Sequence, residues 1–238
     1  MTFRLKRRAA PRSWTVPRKG TKWILRPRPG PHAQDRSIPL LLVLRDLQRI
    51  VVSAREARVL VRSGAVRVDG KVASDLARGV GLMDTVSLAA PLDRHYRLVT
   101  DRRGKLVLAS IPSTEAAVKI GRVRFKHAAK GGKVELTLHD GRNLLLPAST
   151  SYRVGDSLKI EVPSQKVVEH FSLKPGVLAY VAGGSHVGEL ARVDRIEVRN
   201  SPQPNLVHFK EGFSTIKEYV FVVGEQAPGV TLGEGVDR

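Results

Sequence analysis

The chain contains no cysteine. Disulfides and thiolate metal sites are therefore excluded, and folding needs no oxidising compartment, which fits the cytoplasm. Aromatic residues make up only 5% of the 238 positions, so the cores have to be built from Val, Leu, Ile and Ala. Long apolar stretches are missing. The longest, Ile38–Leu44, is too short to cross a bilayer and is broken by Pro39. No secretory leader is visible, because Arg4–Arg8 runs into Ala-Ala-Pro-Arg instead of an apolar segment. No membrane partner is expected.

The signatures of catalysis are absent too. No P-loop Lys-Ser/Thr follows the Gly-Gly pairs at Gly131 and Gly183, and the seven histidines never fall at HExxH spacing. His139-Asp140 resembles a catalytic pair on paper. Neighbouring strand residues point to opposite faces, however, and Asp140-Gly141 serves better as a turn. The expectation is a non-enzyme with no metal, no cofactor and no small-molecule substrate. On this reading His139→Ala and Asp140→Asn should leave growth and translation nearly unchanged, beyond any loss of turn stability.

Acidic residues are the remaining shortage: 22 against 41 Lys and Arg, a net charge of +19. Such an imbalance opposes compaction unless a polyanion answers it, and nucleic acid is the usual one. The charge is uneven. Residues 1–36 carry net +10, 37–90 net +3, 91–172 net +7 and 173–238 net −1.

Residues 1–36 are also rich in Pro and Gly and show no apolar period. They read as an extended basic arm that adds little to any core, so deleting them should leave a folded protein. Both tryptophans of the chain, Trp14 and Trp23, sit here among Arg and Lys. That arrangement suits rings that stack on bases while cations meet phosphates. The bland alternative is a solvated tail docked by its tryptophans.

At residue 37 the pattern changes. Ser37 can cap a helix with Pro39 in its first turn, followed by the face Leu40, Leu41, Leu44, Leu47. Ser53-Ala54-Arg55-Glu56 is a capping box opening a second helix. Arg55, Arg58 and Arg62 line one side of it, and Gly64 is a natural stop. Val66-Arg67-Val68, the turn Asp69-Gly70, and Lys71-Val72 read as a hairpin, with a further strand at Thr85–Leu88. Ser53–Ala57, Leu60, Ser63–Lys71 and Gly81–Val86 resemble the small two-helix RNA-binding module shared by ribosomal proteins, pseudouridine synthases and heat-shock RNA-binding proteins. The resemblance implies RNA contact for Arg45, Arg49, Arg55, Arg58 and Lys71. A solvated arginine row is the competing reading, and a pseudouridine synthase would need a catalytic domain that is not found.

Residues 91–172 are short strands with turn punctuation, as in a small barrel or curved sheet. Arg122, Arg124, Lys126, Lys130 and Lys133 are candidate phosphate contacts. Charged strands also guard edges against aggregation, and both readings stand. Residues 173–224, from Lys174-Pro175-Gly176 through Gly183-Gly184 and Gly188 to Val193, resemble the KOW motif of ribosomal and elongation proteins. Their net charge of −1 suits less RNA contact, or a protein-facing side. The Gly-rich tail 225–238 is expected to be mobile.

Arm, two-helix module, β domain and KOW module in this order resemble the S-four-e family of archaeal and eukaryotic small-subunit ribosomal proteins. The stretches that carry the likeness are Leu5–Pro11 with Trp14; Arg26–His32; Ser37–Leu40 with Leu44-Arg45-Asp46; Leu138–Asn143; and Val168-Glu169-His170. The resemblance implies an α+β multi-domain fold and a structural role in the cytoplasmic ribosome. Its implied partners are small-subunit ribosomal RNA and neighbouring ribosomal proteins. RNA-binding candidates in the arm are Arg4, Lys6, Arg7, Arg8, Arg12, Trp14, Arg18, Lys19, Lys22, Trp23, Arg26, Arg28, His32 and Arg36. Those beyond it are Arg45, Arg49, Arg55, Arg58, Arg62, Lys71, Arg122, Arg124, Lys126, Lys130, Lys133 and Arg142. The competing function is a KOW-containing transcription or ribosome-assembly factor.

Overall fold

A computed structural model describes residues 4–233, which divide into two compact units with the break after Ala117. The first unit opens with β1 (Arg4–Lys6) and β2 (Trp23–Leu25), paired antiparallel. Next come β3 (Ser37–Pro39), one turn of helix α1 (Leu40–Leu42), and helix α2 (Ala54–Arg62). Then follow β4 (Val66–Val68), β5 (Lys71–Val72), β6 (Gly79–Gly81), β7 (Thr85–Leu88), β8 (Arg94–Thr100) and β9 (Leu106–Ile111). One antiparallel sheet runs in the order β5-β4-β7-β8-β9, while β3 pairs with β6.

Local chemistry explains much of this. Ser53 accepts the Glu56 amide at 3.2 Å, and Glu56 accepts the Val52 amide at 3.0 Å, so the capping box forms and α2 starts where the sequence places it. Gly64, at φ +75°, ends the helix. Asp69 and Gly70 both have positive φ, as the two-residue turn between β4 and β5 requires. Ser37 differs from expectation. It is extended and pairs with Gly81, and the helix begins at Leu40 with Pro39 in the capping position. The residue before a proline is driven out of the helical region, which holds Ile38 in the strand. After α1 the backbone widens into a π-turn, Val43–Leu47, with the Gln48 amide donating to the Val43 carbonyl at 3.1 Å.

The arm is a correction. It is part of the core of the first unit, where Ala10, Trp14, Val16 and Ile24 pack with Leu40–Leu44 and Leu106. Trp14 is 1% exposed and its indole Nε1 donates to the Ser37 carbonyl at 2.6 Å. Ser13 accepts the Leu106 amide at 2.7 Å, which fastens the arm to β9. The apolar anchors here are single residues spread along an irregular segment, so no period announces them. Strands β8 and β9 are a second correction. They were expected in the middle domain, yet they extend the sheet of the two-helix module through β7.

The second unit holds β10 (Val118–Ala129), β11 (Lys133–Leu138), β12 (Asn143–Pro147), β13 (Ser157–Glu161) and β14 (Val167–Phe171), ordered β12-β11-β10-β13-β14. It ends in β15 (Leu178–Val181), β16 (Leu190–Glu197), β17 (Leu206–Phe209), β18 (Ser214–Ile216) and β19 (Val220–Gly224), ordered β18-β17-β16-β15-β19. The last strand thus returns beside the first of its sheet. The segment after Glu225, expected to be mobile, packs in part: Val230 and Leu232 are buried, and the Gly229 amide donates to the Val223 carbonyl at 2.8 Å. The rest of that expectation, residues 234–238, lies outside the described residues.

An ion pair sits inside this unit. Lys119 Nζ, fully buried, lies 2.8 Å from Asp140 Oδ2, and Arg142 Nε lies 2.9 Å from the same oxygen. Burial alone would push the Asp140 carboxyl up. The charges of Lys119, His139 and Arg142 outweigh it and hold the carboxyl at about 2. Asp140 therefore does more than shape the turn, because Asp140→Asn would remove the carboxylate charge that faces the buried Lys119 ammonium.

Two outcomes follow. Trp14→Ala should destabilise the chain by about 3–5 kcal/mol, and removing residues 1–36 should abolish the cooperative melt of the first unit by circular dichroism. Asp140→Asn should cost about 3–5 kcal/mol near neutrality. Because the folded-state value is depressed, the carboxylate's contribution is complete above its ordinary pKa and disappears as pH falls through about 2. The difference in stability between wild type and Asp140→Asn should therefore shrink in acid, as denaturant titrations at stepped pH would show.

Candidate nucleic-acid interface

Eight cations of the first unit, some exposed and some half-buried, line three shallow grooves that share residues. The first lies between the arm and α1 and is lined by Arg4, Arg7, Trp23, Leu41 and Arg45. The second continues across Arg45 to Thr15, Pro17, Arg49 and Lys105. The third passes Leu25 and Leu41 to Arg28, Arg58 and Arg62. Arg45 belongs to the first two, and Leu25 and Leu41 to the first and third, so the grooves adjoin; Asp46 also lines the first two and Asp75 the third.

The backbone sets these side chains in place. Arg55, Arg58 and Arg62 follow at helical spacing on α2 and all are exposed. The π-turn after α1 carries Arg45, and Arg49 sits just beyond it at φ +51°, a conformation that side-chain-bearing residues seldom adopt. Both features are common at functional sites. Arg45 is oriented by Asp46 at 2.9 Å. Glu56, the one acid on α2, is committed to the cap, and its carboxyl is lowered by the Val52 amide and then the Ser53 hydroxyl. The face is left to its arginines.

Trp23 is 44% exposed, with the Lys22 ammonium 5.5 Å from its ring centroid. It is available for stacking, whereas Trp14 is not. His32 is also turned inward. Its Nε2 lies 3.0 Å from Asp84, and a Cβ on Gly81 would meet its ring at 2.1 Å, so glycine is required there. Two arm arginines brace the arm itself. Arg18 donates to the Pro11 carbonyl at 2.9 Å, and Arg7 to the Pro17 carbonyl at 2.9 Å. Arg28 pairs with Asp75 at 2.8 Å. Arg4, Lys6, Arg8, Arg12, Lys19, Lys22, Arg26, Arg36 and Lys71 are exposed.

In the second unit Arg124, Lys126, Lys130 and Lys133 are exposed along the β10–β11 hairpin, Arg124 at its base and Lys130 and Lys133 by its turn. Arg122 is not among them. It is buried, donates to the Lys217 and Glu218 carbonyls and lies over the Phe221 ring at 5.4 Å, so its place in an RNA-facing set is corrected. Arg142 is largely committed to Asp140. The His139 ring packs edge-on against Phe221 at 4.9 Å and accepts the Arg122 amide at 3.3 Å. These partners make it a packing residue.

Lys105 is the site residue that sequence reading passed over. It is half-buried at the end of the turn Asp101–Gly104, whose Arg102 and Arg103 are exposed, and donates to the Arg12 carbonyl. The clustering of three cations around a glycine turn was the available signal.

Three family models cover most of the chain: RS4NT (NUC023) domain over residues 1–35, S4 domain over 42–86, and Ribosomal family S4e over 92–167. The chain is 42% identical to the small ribosomal subunit protein eS4 of Methanocella arvoryzae, over 95% of its own length and 96% of the relative's. It is 41% identical to the protein of the same name from Methanocaldococcus jannaschii, over 96% of each. The crystal structure of the 30S ribosomal protein S4e from Thermoplasma acidophilum matches with a TM-score of 0.71 at 37% identity, covering 81% of this chain and 97% of that one.

Reversing two cations tests the third groove. Arg58→Glu with Arg62→Glu should weaken binding to a structured RNA at least about tenfold and flatten the salt slope by about two units. Stability should change by less than about 0.5 kcal/mol, since both positions are exposed. An unaltered salt slope in fluorescence anisotropy would make the row a solvated face.

Proposed function

The chain belongs to the ribosomal S4e family, and we propose on that basis that it is a structural constituent of the small ribosomal subunit, where it binds ribosomal RNA. The adjoining grooves of the first unit support the reading, with Arg45, Arg49 and Lys105 around one and Arg58 and Arg62 around another. Counterion release from the phosphates supplies the affinity, and the exposed Trp23 adds a surface for a base. It is not an enzyme: the family is a structural one, and His139 and Asp140 are occupied in packing and in the buried ion pair.

The finer parts of the reading are these. The exposed cations of the arm, α2 and the β10–β11 hairpin contact phosphate, while Arg7, Arg18 and Arg28 first position the arm. The chain works at the cytoplasmic ribosome beside other ribosomal proteins. Residues 173–224 form a KOW-type module, supported by a five-stranded meander whose last strand closes on its first and by positive φ at Gly184 and Gly188.

Incorporation distinguishes a fixed constituent from a transient assembly factor. The full chain, added to subunits depleted of their own copy, should remain bound through a high-salt wash in sucrose gradients. Release at moderate salt, with the subunit otherwise intact, would favour the KOW-containing factor.

A further inference from the structure

The outer face of the β10–β12 sheet is open, and it is not a plain charged edge. From Lys119 to Val123 strand β10 is buried, but from Arg124 to Ala128 every residue is exposed. The pairing register aligns Phe125 with Thr137 and Asn143, and His127 with Glu135 and Leu145. Strand residues two apart share a face. Phe125, His127 and Leu145 therefore share the face opposite Leu136 and Leu144, which are in the core. Phe125 is 46% exposed and Leu145 57%. The Phe125 and His127 rings lie 6.0 Å apart at 31°, and the Arg124 guanidinium lies 5.0 Å from the Phe125 ring centroid.

We propose that this face is a stacking platform for two successive unpaired bases of RNA, with Phe125 and His127 as the surfaces and the surrounding cations as the clamp on the backbone. The proposal deepens the ribosomal RNA-binding reading and rests on it. Two rings at alternate positions of one strand, open to solvent, present flat faces in sequence, as an extended single strand presents its bases. Arg124, Lys130 and Lys133 are exposed on the same hairpin, whereas Lys126 alternates to the other face and donates to the Tyr152 carbonyl at 2.9 Å; Glu135, opposite His127, is the only acid on the three strands. A docked protein would favour an interface centre depleted of charge. Here a guanidinium already lies over one of the rings, an arrangement that suits an aromatic stack beside phosphate.

The test compares base with backbone. Affinities of the full chain are measured by anisotropy for a short fluorescein-labelled oligouridylate and for an abasic strand of equal length. Phe125→Leu with His127→Ala should lose about tenfold for the oligouridylate, with the abasic affinity and the salt slope unchanged. Phe125→Tyr with His127 intact should retain wild-type preference, and a separate Trp23→Ala variant reports the arm's share. Circular dichroism melts should show both platform variants folded. Equal oligouridylate affinity for wild type and the double variant overturns the platform. If that affinity holds while the double variant fails to enter small subunits, the face docks protein and the proposal falls. A wild-type chain that shows the base preference but does not enter subunits would support the platform and overturn the ribosomal reading.

Discussion

A segment with net +10 has to lie against a body that is itself basic, and Trp14 is the contact that makes this possible. Like charges oppose the docking of the arm, so the attraction must be apolar and directional. The indole provides both, through full burial among the leucines after β3 and a hydrogen bond to the Ser37 carbonyl. Once Trp14 is seated, Arg18 and Arg7 can spend their guanidinium groups on arm carbonyls and shape the segment. The first and second grooves exist only because the arm is held in this way.

The scarcity of acids shapes the surface as well. Asp69, Asp84, Asp140 and Asp156 are all buried. Asp69 accepts the Thr85 amide at 2.9 Å, Asp84 the Gly81 amide at 2.8 Å, and Asp156 the Arg153 and Leu173 amides at 2.9 Å each. Carboxylates used inside as turn clamps cannot neutralise cations outside. Among the described residues of the first unit, Asp69 and Asp84 are withdrawn from the surface in this way, against one buried cation, Arg97.

Features that depend on neighbours in sequence were legible. The Ser53 capping box, the Gly64 stop and the Asp69-Gly70 turn are decided within a few residues, and the α2 arginine row follows from helical spacing. Features decided by distant partners were not. Trp14 sits in a basic, proline-rich context that suits RNA stacking equally well, and only the position of β9 shows that it is core. Arg122 and Arg124 are two residues apart on one strand, yet one is buried and the other exposed, because β10 leaves the core between them. The pairing of β8 with β7 escaped for the same reason, since alternation reveals a strand and not its partner. His32 lay in a stretch that marks the family, but its role is to hold Asp84, a contact that no spacing could show.

The junction between the arm and β9 also imposes an order in time. Thr15 and Leu106, joined by a hydrogen bond, are 91 residues apart, and the strand that anchors the arm is made long after the arm itself. Synthesis therefore makes the arm before the strand that fastens it, and the bond between Thr15 and Leu106 can close only after β9 has followed. Until then the arm's cations lack the β9 contact that helps hold them in place.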